Sequence, residues 1–302
     1  MTKNVAQSVM DRLLKHAKAR GEDFNFVLVQ YGIERLVARL SASPHGASFV
    51  LKGATLFSVW SAAPHRATKD LDLLGVGEPD LERLAAIFRE VVAANADDDG
   101  LVFDPSTIEA RRIKEDAECE GVRVTGLARL GAARLSIQVD IGFGDAVTPE
   151  PTEVAFPTLL NAPRPRVRIY PRETVVAEKT QAIVHLGLLN SRMKDYFDLW
   201  FLARTFDFEK PLLARAVART FERRGTALPR ERAVGLSDAF TSHPQKRAQW
   251  KAFSARLGRS TPAGSLDDVI GLLREFLEPL FTTASNASEV GSSTWGPGGP
   301  WQ

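Results

Sequence analysis

Two short segments decide the fold of this chain, FVLKGAT at residues 49–55 and RATKDLDL at residues 66–73. The first is typical of an apolar strand that ends in a turn at Gly53 and leads into a helix. The second predicts another strand. Because side chains alternate across a strand, Asp70 and Asp72 share one face while leucines fill the other. Two carboxylates this close repel each other, and a divalent cation with oxygen ligands commonly stabilises such a pair. These segments therefore indicate Mg²⁺ and phosphate chemistry.

The composition is that of an ordinary globular protein. The 302 residues are 44% hydrophobic and 25% charged, and the formal net charge is +2. The single cysteine, Cys119, excludes an internal disulfide and a zinc cluster built on cysteines, so we expect a reducing compartment. No segment reaches the roughly 18 apolar residues of a membrane span, and the N-terminus lacks the apolar core of a signal peptide. We therefore expect a cytoplasmic protein with no membrane partner.

Apolar periodicity predicts a mixed first half and a helical second half. Helices are expected over 5–20, 25–40, 54–61 and 79–94, and strands over 49–52, 70–74, 101–103, 108–113, 121–130 and 134–141. Beyond the proline-rich segment 149–165 the predicted elements are helices alone, over 173–188, 193–205, 211–223, 245–255 and 266–281.

This order of elements predicts an α+β protein. The N-terminal lobe, residues 1–165, would contain a mixed β-sheet flanked by helices, and the C-terminal lobe, residues 166–282, would be helical. The Gly/Ser-rich tail at 283–302, which includes Trp295 and Trp301, is expected to be disordered.

A third carboxylate strengthens the metal hypothesis. The segment 134–141 alternates cleanly, which puts Asp140 on the polar face of its strand. Three carboxylates on adjacent strands, Asp70, Asp72 and Asp140, can hold two Mg²⁺ ions about 3.5–4 Å apart. A glycine turn, a helix, Asp-x-Asp and a later lone Asp resemble the pattern of the polymerase-β-like nucleotidyltransferase superfamily. Ala54 stands where that superfamily usually has Ser or Gly.

Five motifs narrow this resemblance: LKGATL at 51–56, RATKDLDL at 66–73, DIGFGD at 140–145, EKTQAI at 178–183 and RMKDYFDL at 192–199. Together they resemble the AbiEii/AbiGii nucleotidyltransferase toxin family, in the family's order, over about 5–281. The resemblance implies a toxin with a cognate antitoxin that transfers a nucleotide from an NTP to RNA. Several members act on the 3′ acceptor end of tRNA. The implied cofactor is Mg²⁺, with Mn²⁺ as an alternative.

The resemblance also suggests roles for individual residues. The nucleotide would be bound by a group at the turn and before the acidic strand: Lys52, Gly53, Ala54, Arg66 and Thr68. Thr68 stands where the family commonly has Ser, and threonine also carries a hydroxyl. The arginine-rich segments 164–172 and 215–224 would bind the RNA backbone, although each segment taken alone slightly favours a solvated arginine surface.

The helical half would contribute three residues to catalysis, together with Asp70 and Asp72. Lys179 is flanked by apolar residues and could bind the triphosphate as a point charge. Asp195 and Asp198, at i and i+3 on one helix face, could accept the proton of the attacking hydroxyl or orient Lys179. Alternatively, Asp198 forms a surface ion pair with Lys194. We expect the site in the cleft between the two lobes.

Three other functions use parts of the same pattern. Asp-x-Asp sites on this fold also transfer nucleotides or phosphate to protein hydroxyls. A degenerate enzyme could bind nucleotide or RNA without catalysis, although it would have no need to keep three carboxylates and Lys179. A glycosyltransferase would not call for the helical Lys and Asp motifs. The sequence leaves the NTP, the RNA, the antitoxin and the oligomeric state open.

Overall fold

The computed structural model describes residues 5–61, 68–94, 98–114, 120–257, 264–285 and 293–302, without the side chains of residues 114 and 120. Arg66 and Cys119 lie outside the described residues. The chain divides into two compact units. The sheet unit comprises Met1–Gly144 and Thr152–Ile169, and the helical unit comprises Asp145–Pro151 and Tyr170–Gln302.

The sheet unit is built on a mixed sheet of seven strands in the order β3-β4-β5-β2-β1-β7-β6. Its strands are β1 Phe49–Lys52, β2 Leu71–Gly75, β3 Leu101–Lys114, β4 Glu120–Leu130, β5 Ala133–Phe143, β6 Thr152–Ala155 and β7 Arg166–Ile169. Its helices are α1 Val5–Arg20, α2 Phe24–Ala42, α3 Leu56–Trp60 and α4 Leu81–Ala93. The β2–β5 and β1–β7 pairs are parallel, and the other pairs are antiparallel. The predicted mixed sheet flanked by helices is confirmed.

The alternation of apolar and polar side chains along β5 shows which face of the sheet is buried. Its apolar side chains at every second position from Leu135 to Ile141 are buried, as the sequence pattern predicts. Helix α2 packs on β5 and α4 packs on β3. Gly32 allows the approach of α2, because a Cβ there would lie 2.9 Å from Ile137 Cδ1. The opposite face of the sheet therefore carries the polar residues of β5, including Asp140.

Two features of the sheet differ from the sequence prediction. The predicted strands 101–103 and 108–113 form one strand, β3, which continues past Pro105 with a register shift between Asp104 and Glu109. Proline has no backbone N–H to donate, and a residue in a bulge does not have to donate a hydrogen bond to the neighbouring strand. The proline-rich segment contains β6 and is followed directly by β7, which pairs with β1, so the first unit extends to Ile169.

The helical unit contains α5 Arg172–Leu186, α6 Met193–Thr205, α7 Lys210–Arg223, α8 Asp238–Ser242, α9 Pro244–Leu257 and α10 Leu266–Ser285. A two-stranded sheet joins β8 Phe208–Glu209 to β9 Thr294–Trp295. Helix α5 packs on α6 and α7, and α10 packs on α6 and α7. In the part of the chain that the structure describes, no helix has the length and apolar content to cross a membrane.

The end of the tail, residues 293–302, is ordered and packed, whereas its Gly/Ser content predicts disorder. Trp295 is fully buried and donates its indole N–H to the carbonyl of Ala203 at 2.7 Å. Trp301 donates to the carbonyl of Phe276 at 3.1 Å, and both indoles contact the Phe276 ring. Two indoles bury enough apolar surface to order a short segment of otherwise flexible composition.

Candidate active site

A row of charged side chains crosses four neighbouring strands on the polar face of the sheet. Lys52 of β1 lies opposite Asp72 of β2, Asp72 lies opposite Asp140 of β5, and Asp140 lies opposite Arg123 of β4. Directly opposed residues project from the same face of a sheet and are close neighbours. Asp70 directly precedes β2. The strand order thus brings Asp72 and Asp140 side by side.

The turn at Gly53 fits only glycine. Its φ of +72° lies in the region that L side chains rarely adopt, and a Cβ at this position would overlap the Asp72 carboxylate. The absence of a side chain therefore lets Asp72 lie against the turn. The predicted helix at 54–61 is instead a 3₁₀ turn, Gly53–Thr55, followed by the five-residue helix α3.

Arg123 holds Asp140 with two hydrogen bonds. Its Nε and Nη2 donate to Oδ1 and Oδ2 of Asp140, each at 2.7 Å. The bond to Asp140 raises the pKa of Arg123, and the charges of Asp70 and Asp72 raise it further. The guanidinium therefore stays charged within the field of all three carboxylates. Arg123 is not among the site residues predicted from the sequence. Its position between the buried Val122 and Val124 nevertheless indicates that it belongs to the polar face of the sheet.

Two of the carboxylates, Asp70 and Asp72, could hold a metal ion together with a substrate. Among the described residues, no group of three or more His, Cys, Asp or Glu side chains is arranged to hold a metal ion. Mg²⁺ in phosphate-transfer sites is commonly held by one or two carboxylates together with substrate phosphates. Asp70 and Asp72, next to a glycine turn, fit that mode of binding. Asp140 fits it less well, because both of its oxygens accept hydrogen bonds from Arg123.

A cavity of about 310 Å³ adjoins the Gly53 turn and includes two of the predicted nucleotide-binding residues, Ala54 and Thr68, in its lining. Thr68 donates its hydroxyl to the carbonyl of Asp70 at 3.3 Å. The lining also includes Thr55, whose buried side-chain oxygen has no hydrogen-bond partner. Such atoms are expected to bond to a ligand or water when one is bound.

Glu34 is a buried carboxyl in the wall of this cavity. It is 2% exposed, and its Oε2 accepts a hydrogen bond from the Leu159 N–H at 2.6 Å. Arg35 Nη2 lies 2.7 Å from Oε1 without the alignment of a hydrogen bond. Burial is the largest effect and raises the pKa of Glu34.

In the helical unit, α5 and α6 bring together the three predicted residues of their motifs. Lys179 Nζ lies 2.8 Å from Asp195 Oδ1 and 2.8 Å from Asp198 Oδ2. Arg192 Nε lies 2.7 Å from the other oxygen of Asp195. Both aspartate side chains are fully buried, and the Lys179 side chain is 13% exposed. Asp198 is therefore a buried carboxylate that pairs with Lys179, and not a surface residue.

Glu178, next to Lys179 in the sequence, belongs to a polar network around Arg224. Arg224 donates to Asp145 Oδ1 at 3.0 Å and to Gln181 Oε1 at 3.1 Å, and it lies 3.6 Å from Glu178. Asp145 follows Gly142-Phe143-Gly144, a pattern that is typical of a turn residue. Its pairing with Arg224 could not be read from the sequence, because the two residues lie far apart in the chain.

The sequence and the fold are similar to those of known proteins. The family model described as "Nucleotidyl transferase AbiEii toxin, Type IV TA system" matches residues 35–277. The crystal structure of JHP933 from Helicobacter pylori is similar, with a TM-score of 0.50 and 16% identity over 87% of this chain and 94% of that chain. A second H. pylori structure, described as a candidate nucleotidyltransferase, has a TM-score of 0.48 and 14% identity over 87% and 98%. No curated protein matches the chain. At these identities the structural likeness concerns the fold alone.

Proposed function

The chain belongs to the AbiEii family of nucleotidyltransferase toxins of type IV toxin–antitoxin systems, and on that premise we propose that it transfers a nucleoside monophosphate from an NTP to the 3′ end of RNA. The target that we propose is the acceptor end of tRNA, whose modification blocks translation in the cytoplasm. Membership of the family implies a nucleotide substrate and an antitoxin partner. The proposed cofactor is Mg²⁺ or Mn²⁺.

The observation that carries this proposal is the position of the Asp72 carboxylate against the Gly53 turn. A turn without a side chain lets a phosphate approach the backbone N–H groups, and the neighbouring carboxylates can hold the cation that accompanies a triphosphate. A divalent cation at Asp70 and Asp72 would neutralise phosphate charge and polarise the phosphoryl group. Ala54 and Thr68 line the adjoining cavity, which has room for part of a nucleotide.

The helical unit would supply a fixed positive charge. Two fully buried carboxylates hold Lys179 Nζ, so the ammonium is restrained while part of its side chain stays exposed. This arrangement supports orientation of Lys179, rather than proton transfer, as the role of Asp195 and Asp198. Lys179 would bind a phosphate of the NTP as a point charge.

The proposed reaction forms one bond and breaks one. The 3′-hydroxyl oxygen of RNA forms a bond to the α-phosphorus, the bond from that phosphorus to the bridging oxygen of the β-phosphate breaks, and pyrophosphate leaves. The hydroxyl proton passes to solvent. Positioning and electrostatic stabilisation supply most of the catalysis in such transfers.

The test is to incubate the purified chain with α-labelled NTPs, Mg²⁺ and total tRNA. Label is expected at RNA 3′ ends, and it should be lost in a variant with Asp70→Asn and Asp72→Asn. A matched control, Asp98→Asn with Glu82→Gln, removes two exposed carboxylates elsewhere in the sheet unit and should label RNA normally. Equal labelling by the Asp70/Asp72 variant would refute the proposal. Label in protein would instead support a protein hydroxyl as the acceptor.

A further inference from the structure

The row of charged side chains continues onto the edge strand of the sheet, and a second pair of arginines lies farther along the same face. Arg111 of β3 lies directly opposite Arg123 of β4, which is bonded to Asp140. On the same face of β4 and β5, Arg129 lies directly opposite Arg134. Arg111, Arg129 and Arg134 are exposed. We call this surface of β3, β4 and β5 the open face of the sheet.

The opposed arginines of the open face are unfavourable for the folded chain by itself. Like charges directly opposite each other on neighbouring strands are destabilising. Among the described residues, no carboxylate forms an ion pair with Arg111 or Arg134. Two carboxylates of the open face, Asp104 and Glu109, lie on β3, and hydrogen bonds from a serine lower the pKa of Asp104 more than the charge of Arg129 does. A polyanion bound along β4 and β5 would remove the repulsion.

The spacing of these arginines suits a nucleic-acid strand. The register of β4 and β5 is unbroken from Val122 to Leu130, and a strand rises about 3.4 Å per residue, so Arg129 lies about 20 Å from Arg123 along β4. A stacked strand that advances about 3.4 Å per phosphate places about six phosphates over that distance. Hydroxyl, amide and apolar side chains lie between the two ends, and they suit contacts with ribose hydroxyls and unpaired bases. These side chains are Thr125, Leu127, Ser136 and Gln138.

The arginine-rich segment 164–172 suits this role less well. Arg166 forms an ion pair with Glu153, and Arg168 donates to the carbonyl of Ala47 at 3.2 Å. These two arginines are used in contacts within the sheet unit, whereas the opposed arginines of the open face repel each other. Within the sheet unit, the open face is therefore the better basic surface for a phosphate backbone.

We propose that the open face binds the 3′-terminal strand of an RNA. The 3′-hydroxyl lies at the row of Asp72 and Asp140, and Arg129 and Arg134 contact phosphates about six nucleotides from that end. This inference rests on the proposed function in placing the 3′ end at the row. It adds the surface that binds the rest of the strand.

The test measures the affinity of the full chain, without NTP, for single-stranded RNAs of four and ten nucleotides by fluorescence anisotropy. Each RNA has a 5′ fluorophore and a free 3′-hydroxyl. Arg129→Gln combined with Arg134→Gln should lower the affinity for the ten-nucleotide RNA by about tenfold. Its salt dependence should fall by about 1.4 in log–log slope, because two phosphate contacts are lost. The four-nucleotide RNA cannot reach both ends of the open face, so its affinity should fall by no more than about twofold.

The matched control is Lys18→Gln combined with Arg83→Gln. It removes two exposed positive charges from α1 and α4, so the net charge changes equally, and it should bind both RNAs as the wild type does. The Tm provides a second readout. Loss of Arg129 and Arg134 removes a repulsion, so the Tm of that double variant should equal or exceed that of the wild type.

Four results would overturn the proposal: unchanged affinity of the Arg129/Arg134 variant for the ten-nucleotide RNA, an equal loss in the control, an equal loss for the two RNA lengths, or a wild-type chain that binds neither RNA. Failure of the proposed function is distinguishable because NTP is absent. A chain that shows the expected pattern but labels no RNA refutes the transfer and leaves this surface intact.

Discussion

Gly53 is the residue whose replacement tests the nucleotide turn most sharply. An alanine there would adopt an unfavourable positive φ and would push its Cβ into the Asp72 carboxylate. The backbone strain costs about 1–2 kcal/mol, and displacement of a catalytic group by about 1 Å can cost roughly 100-fold in rate. We therefore expect Gly53→Ala to lower nucleotide transfer by about 100-fold, measured with labelled NTP.

Gly21 provides the control for this substitution. Its φ is +65°, but nothing lies within 4 Å of a Cβ built there. Gly21→Ala should therefore lose a similar amount of stability in urea unfolding and keep normal transfer. Normal transfer by Gly53→Ala would show that the contact with Asp72 has no part in the reaction.

Lys179 is held between two buried carboxylates, and its loss should destabilise the helical unit. Lys179→Met removes the ammonium from both Asp195 and Asp198, and breaking a buried ion pair typically costs about 3–5 kcal/mol. Addition of Asp198→Asn should recover part of that free energy of unfolding, because it neutralises one buried carboxylate, while transfer stays lost. Urea unfolding of the wild type, both single variants and the double variant measures the coupling. A double variant no more stable than Lys179→Met would contradict the pairing.

Glu34 should make the stability of the sheet unit depend on pH. Burial raises its pKa above the ordinary value of 4.5, so the folded state binds this proton more tightly than the unfolded state. The stabilisation is therefore complete below pH 4.5 and is lost as the pH rises through the raised pKa. Glu34→Gln keeps an acceptor for the Leu159 N–H and cannot ionise.

We expect the Tm of Glu34→Gln minus that of the wild type to increase as the pH rises from 4.5. Thermal unfolding of both proteins in the same series of buffers gives this difference and cancels the titration of other groups. A constant or decreasing difference would mean that the Glu34 carboxyl is not destabilised by its burial.

At the scale of elements, β9 joins the C-terminal segment to the helical unit. Truncation of a buried aromatic side chain typically costs about 3–5 kcal/mol, and Trp295 is fully buried against Phe276. Trp295→Ala should lower the free energy of unfolding of the helical unit by that amount. Gly296→Ala, with nothing within 4 Å of the added Cβ, should leave it unchanged. Equal stability of the two variants would indicate that the segment is not held by its indoles.

Elements with a strong periodic signal could be predicted from the sequence. The bounds of α1 and α6 match the predicted ranges 5–20 and 193–205, and the alternation of β5 correctly gave its buried face. The short strands β6 and β7 could not be predicted, because each has four residues next to prolines, β7 is stabilised by pairing with the distant β1, and β6 is paired in turn with β7. The order of β9 depends likewise on contacts with α6 and α10 that local composition does not encode.

At the scale of the whole molecule, the predicted site residues divide between the two units. Motif spacing selects Asp70, Asp72, Asp140, Lys179 and Asp195 as candidates, because each lies in a recognisable strand or helix pattern, and their roles stay predictions. Arg123 could not be selected, since its contact with Asp140 depends on the register between β4 and β5. Arg66 lies outside the described residues, and its role in nucleotide binding stays a prediction.

The central claim is that an NTP donates its α-phosphoryl group, with the nucleoside attached, to an RNA hydroxyl. The most direct measurement incubates the chain with tRNA and the same NTP labelled in parallel reactions at the α- or the γ-phosphate. We expect α-label, and no γ-label, in RNA, released as the 3′-terminal nucleotide on digestion. Transfer of γ-label, or α-label found only in protein, would contradict the account.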